Sequence, residues 1–365
     1  MKIRTALMGA AALCVMAPAA MAERGTDGQL NIFYWQAPSI LNPYLSSGTK
    51  DVESASMVIE PLAGFDEKGN VFPRLAAEVP TVDNGGVAAD YTSITWKLQE
   101  GLKWSDGTPV TSADVVFTAE YCMHPEGGCA QLARYEGIDK VEAVDDLTVK
   151  VTFKAPKYNP YQAFVGGTSP ILQKAQFQDC LGAKAPECTA ANFGPIGTGP
   201  FRVTDFKPND VITMEANPEY RDPAKPAFAT VNFKGGGDAA AAARAVMETG
   251  EYDYAWNTQL APDIQEQMKA AGKGVFVNGF GTLVERIEMN MTDPSPDLPE
   301  GERSTAKHPH PILSDIKVRT ALSKAIDRNL LVEVGYGDAG RATCNLVPAP
   351  EMYDAADNTD CLTQD

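Results

Sequence analysis

Side chains able to do proton or nucleophile chemistry are scarce in this chain. Its 365 residues include 3 histidines. There is no GxSxG, no HExxH and no cysteine beside a histidine base. Acidic residues number 48, so a spaced carboxylate pair arises somewhere by chance and singles out no glycosidase-like site. His308-Pro309-His310 falls in a run at 293–311 rich in Pro, Asp, Glu and Ser, which reads as a surface loop rather than a metal pair. Cys122-x-His124 is a poor ligand set, and no CxxC accompanies it. No catalytic residue, metal or cofactor is expected, and the chain is expected not to be an enzyme.

The cysteines suggest a different chemistry. Cys14 lies in an apolar stretch at 6–20 that follows Lys2 and Arg4 and precedes Ala20-Met21-Ala22. That order is a cleavable signal peptide over 1–22, too short to span a bilayer, and it implies a periplasmic protein. Beyond it lie Cys122 and Cys129, Cys180 and Cys188, and Cys344 and Cys361. An even set in an exported chain argues for disulfides. Fifteen pairings are open to six cysteines; the expectation is the three local ones, each worth about 2–4 kcal/mol. The net charge of −17 works against nucleic acid or an anionic membrane as partner and reads as a solvated acidic surface.

The elements that would position a site are partly visible. Residues 29–35 are strand-like and run into Gln36-Ala37-Pro38. Ile94, Trp96 and Leu98 alternate with polar residues, as do Val149, Val151 and Phe153, with Asp145-Asp146 as a hairpin turn between strands. Thr111-x-x-Asp114 resembles a capping box. Ser314 or Asp315 caps a second helix with Val318, Leu322, Ala325 and Ile326 on one face. A strand at 229–234 leads through Gly235-Gly236-Gly237 to Asp238 and an alanine-rich helix to about 248. Lacking GxGxxG or GxxxxGK[ST], those glycines read as a tight turn rather than a phosphate cradle. The pattern is mixed α/β in at least two lobes.

Several segments are similar to the extracellular solute-binding protein family 5, the peptide/nickel-type components of ABC importers. They are LNPY at 41–44, PLAGFDEKGNVFPRLA at 61–76, DGTPVTSADVVF at 106–117, GTGPF at 197–201, ANPEYRDP at 216–223, ETGEYDYAW at 248–256 and LSDIKVRTALSKAIDRNLL at 313–331. They follow one another in the family's order. Most of these residues have structural readings of their own. Asp106-Gly107-Thr108-Pro109 is a turn, Gly197 and Gly199 permit a tight crossing of the backbone, and Asp327-Arg328 sits near the C-terminus of the last helix, where a cation suits the dipole.

The resemblance implies an α/β, two-lobed periplasmic binding protein (class II, cluster C type) with an extra inserted domain. Lobe I would comprise 23–59 and 192–274, the inserted domain 60–191, and a partial lobe II 275–365. The chain stops at Asp365, four residues after Cys361, so lobe II is expected to be incomplete. The aspartate that pairs with the ligand's amine in peptide-binding members falls beyond that point. The implied partners are a peptide or peptide-like small solute and the permease subunits of an ABC transporter, with the chain a monomer. Cleft residues implied by position are Tyr34, Trp35 and Gln36 at the end of the first strand, and Trp256, Asn257 and Gln259 after a crossing strand that holds Tyr252 and Tyr254. Phe280, Gly281 and Thr282 would open lobe II, with Arg286 and Asn290 on the next strand. Aromatics would form walls, amides would meet peptide backbone, and Arg286 would meet a carboxylate or pair with Glu285 or Glu288. The rival readings are a nickel-chelate, haem, opine or oligosaccharide ligand, and a secreted hydrolase using a carboxylate pair.

Overall fold

The structure is a computed structural model that describes residues 23–363; the expected signal segment lies outside them. The chain begins β1 (Gln29–Tyr34), α1 (Thr49–Ala55), β2 (Ala63–Phe65), β3 (Val71–Pro73), β4 (Ser93–Lys97) and α2 (Ser112–Met123). It continues β5 (Ile138–Asp145), β6 (Thr148–Phe153), α3 (Lys174–Phe177), α4 (Thr189–Phe193), β7 (Phe201–Lys207) and β8 (Val211–Ala216). Last come β9 (Thr230–Gly235), α5 (Ala239–Met247), β10 (Tyr254–Trp256), α6 (Pro262–Lys269), α7 (Ile316–Lys324) and α8 (Arg328–Gly335). No helix among the described residues is long and apolar enough to cross a membrane.

A five-stranded sheet has the order β10-β1-β9-β8-β7. β1 runs parallel to both β9 and β10, so the three strands end side by side at Tyr34, Gly235 and Trp256. Residues 63–153 supply an antiparallel β4-β6-β5 sheet and the β2-β3 pair. Alternation explains the packing: Ile94 and Trp96 on β4, and Val149 and Val151 on β6, are buried. The Asp145-Asp146 hairpin forms, with Asp145 opposite Thr148 and the Leu147 N–H donating to the Asp145 carboxylate at 2.9 Å. Trp96, Trp104, Tyr44, Phe164 and Phe177 are fully enclosed, and side chains of this size stabilise by about 1.5–3 kcal/mol each when buried.

Caps fall where side-chain chemistry places them. The Thr111 N–H donates to Asp114 at 2.9 Å and opens α2; Asp238 accepts from the Ala241 N–H at 2.7 Å and opens α5. Asp315 is the cap of α7. The three local disulfides, Cys122–Cys129, Cys180–Cys188 and Cys344–Cys361, all form.

The segment after Gly274 departs from expectation. No strand covers 275–290, so Arg286 and Asn290 lie in irregular chain; an extended segment becomes a strand only when its N–H and C=O groups find a partner, and none pairs with it among the described residues. Asp327-Arg328 does not end a helix. α7 stops at Lys324, and Asp327 accepts from the Leu330 N–H at 3.0 Å to open α8. A competent N-cap side chain outweighs the favourable placement of a cation at a C-terminus. The apolar face of α7 forms but stays uncovered, with Leu322 45 % exposed.

Candidate functional site

The ends of the three parallel strands gather the side chains of interest. Alternation along β1 puts Ile32 and Tyr34 on one face, and the register aligns Tyr34 with Trp256. Their rings stack, with centroids 4.9 Å apart and planes at 16°, while Phe233 of β9 tilts against Tyr34 at 4.5 Å. On the other face Phe33 meets Tyr252 at 4.9 Å. Trp35, half-buried, holds its indole N–H out of solvent with no acceptor among the described residues, a state that costs about 1–3 kcal/mol. Gln36, Asn257 and Gln259 are exposed. Asn257 adopts φ +53, a left-handed conformation that asparagine tolerates and that turns the chain away from β10.

Glycine lets these strand ends converge. A Cβ on Gly235 would lie 2.1 Å from the Ala37 Cα, so only glycine lets the exit of β9 pass that of β1. Gly236 then takes φ +116 ahead of the helix. The triple glycine is thus a close crossing plus a turn.

Helix α1 lies against this cluster and supplies a carboxylate. The Tyr34 hydroxyl donates to Glu53. Burial raises the Glu53 carboxyl above its ordinary 4.5, offset only in part by that hydrogen bond. Burial, then the Glu53 hydrogen bond and charge, raise the Tyr34 phenol far above its usual range. Tyr254, 49 % exposed, is raised by burial and then by the charge of Glu53. Sequence reasoning misses Glu53. It stands in no motif and is one of 48 acidic residues, so no signal in a single sequence separates it from a solvated surface.

The remaining candidates lie apart. Phe280, 51 % exposed, lies under the Arg341 guanidinium at 5.3 Å, and Gly281 and Thr282 are exposed. Arg286 pairs with Glu288 at 2.7 Å, and Asn290 accepts from the Thr292 N–H at 3.0 Å. No hydrogen bond or ring contact joins these five to Tyr34 or Trp256 among the described residues.

Parallel strands that end together in aromatic and amide side chains define a ligand-binding α/β protein, because ligands of open α/β sheets sit outside the carboxyl ends of the strands. The chain belongs to the bacterial extracellular solute-binding proteins, family 5: the family described as Bacterial extracellular solute-binding proteins, family 5 Middle, matches residues 70–361. It is similar to the glutathione-binding protein GsiB of Pectobacterium atrosepticum, with 28% identity over 86% of this chain and 54% of that protein. Among solved structures, the ABC transporter substrate binding protein CtaP of Listeria monocytogenes matches with TM-score 0.67 and 25% identity, over 86% of this chain and 57% of that one. The oligopeptide-binding protein AppA of Bacillus subtilis, solved with a nonapeptide, matches with TM-score 0.60 and 24% identity, over 86% and 56%. The chain spans about half the length of the curated relatives it matches.

Proposed function

We propose that this protein is the periplasmic substrate-binding component of an ABC importer, and that it captures a peptide or peptide-like solute and delivers it to the permease without chemical change. The observation that carries the reading is the aromatic and amide cluster at the joined ends of β1, β9 and β10, in a chain of the solute-binding family. Residues 23–59 and 192–274 would form lobe I, 60–191 an inserted domain, and the chain from 275 onward the start of lobe II. Tyr34, Trp35, Trp256 and the exposed amides Gln36, Asn257 and Gln259 would line the lobe I wall. Phe280, Gly281, Thr282, Arg286 and Asn290 would meet the solute from the other side when the lobes close. A ligand that touches both lobes only when they are closed shifts the population toward that state, and the closed form docks on the permease as a monomer. Main-chain hydrogen bonds suit a solute of variable sequence.

The name of GsiB makes glutathione the first solute to try. Thermal unfolding of the full-length chain is measured with glutathione and with a pool of di- to hexapeptides. The reading expects a cooperative transition that gains about 2.7 kcal/mol at a hundredfold excess over Kd. A transition indifferent to all of them contradicts a peptide-like solute. The opine reading is supported by the similarity to AgaA, solved with agropinic acid (TM-score 0.53, 26% identity), and predicts a shift with an opine instead.

A further inference from the structure

Two carboxylates stand two residues apart on α1 in opposite states. Asp51 is saturated: it accepts from the Ser39 N–H at 2.7 Å, the Ser46 hydroxyl at 2.7 Å and Lys50 at 2.9 Å. Glu53 accepts one hydrogen bond, from Tyr34 to Oε2; its Oε1 accepts none among the described residues and is not enclosed. No lysine, arginine or histidine lies within ion-pair distance of Glu53 among the described residues, and Lys50, one turn earlier, is committed to Asp51 and Ser39. A half-buried carboxylate without a counter-charge works against folding, and the raised carboxyl of Glu53 reflects that cost. The aromatic rings are arranged for a cation. Tyr34 lies between Glu53 and the stacked Trp256, and Tyr254 lies within the field of the carboxylate.

We propose that Glu53, with the rings of Tyr34, Trp256 and Tyr254, forms a subsite for a cationic group, an ammonium or guanidinium, of the captured solute. This rests on the strand-end reading of the site. It is separate from the aspartate that the family resemblance places beyond Asp365. The cation supplies the missing counter-charge and donates to the open Glu53 oxygen, a charge-assisted contact. The ring faces cover its apolar flank and attract it through their quadrupoles. Tyr34 is the positioning residue that holds the carboxylate in place.

The test is isothermal titration of the full-length chain, as wild type, E53Q and Tyr34→Phe, with thermal unfolding recorded for each. The probes are the peptide pool, the same pool N-acetylated, agmatine and choline. The side-chain amide introduced by E53Q keeps an acceptor for the Tyr34 hydroxyl, so this variant is expected to unfold at or above the wild-type temperature. The expected result is binding of free-amine peptides or a small cation, weakened at least roughly tenfold by acetylation or by E53Q, and less by Tyr34→Phe. Peptide binding indifferent to acetylation and to E53Q overturns the subsite and leaves the peptide reading standing. Agmatine or choline binding that E53Q abolishes, with no peptide bound, keeps the subsite and removes the peptide reading. Binding of none of the probes, or an E53Q chain that unfolds several degrees lower, overturns the subsite.

Discussion

Asp51 and Glu53 show how far residue type alone falls short of residue role. Burial pushes the Asp51 carboxyl up, but hydrogen bonds from Lys50, the Ser39 N–H and Ser46 outweigh it and hold the group below its ordinary 3.8. A depressed carboxyl contributes stability that is complete above the unfolded value and is lost as pH falls through the folded one. The wild-type chain is therefore expected to be more stable than Asp51→Asn at neutral pH, with the difference shrinking as pH falls below 3.8. Urea unfolding of both chains across that window checks it; a constant difference down to strong acid would exclude the ionised carboxylate as the source. Tyr34 and Trp256 can be proposed from sequence because large aromatics at the ends of recognisable strands are few. Glu53 cannot, because its state depends on the distance from α1 to β1, which no local pattern encodes.

Between elements, several motifs that suggest the family prove to be joints. A Cβ on Gly197 would lie 1.8 Å from the Val58 carbonyl oxygen, so the Gly-Thr-Gly segment passes directly over the end of the α1 region. At the same crossing Glu60, 4 % exposed at its side chain, accepts two hydrogen bonds from Arg221, at 2.6 and 2.9 Å, and a third from Thr198 at 3.2 Å. Removing Arg221 leaves that carboxylate buried without its bidentate partner. Arg221→Ala is expected to cost about 3–5 kcal/mol, with Arg221→Lys recovering only part because an ammonium lacks the planar fork. Equilibrium denaturation measures both, and a loss below about 1 kcal/mol for alanine would show that the pair does not join these segments. Strands β1, β4, β6 and β9 and the starts of α2, α5 and α7 are readable because alternation and capping are local. The break at Asp327 and the irregular chain at 275–290 are not. The first turns on one capping side chain against a helical pattern, and the second on whether a strand partner is present.

The whole molecule combines a well-packed part with a sparsely packed one. Residues 29–247 supply nearly all the buried apolar side chains, whereas α7 and α8 bury none, and Leu283 is 96 % exposed. The strand-end cluster lies within the packed part, so the proposed solute wall is preformed on lobe I and does not depend on how the later segment is arranged. The chain's tryptophans offer a direct reading of that wall. Of the 4, Trp96 and Trp104 are enclosed in the core, while Trp35 and Trp256 lie at the strand ends. The most direct test of the central claim is a titration of glutathione and the peptide pool followed by tryptophan fluorescence, in wild type and in Trp256→Phe. A saturable change in the wild type, whose amplitude falls sharply and whose midpoint moves to higher concentration in Trp256→Phe, is the predicted result. No saturable change with any of these solutes, or the same midpoint and amplitude in both chains, would contradict capture of a peptide-like solute at the ends of β1, β9 and β10.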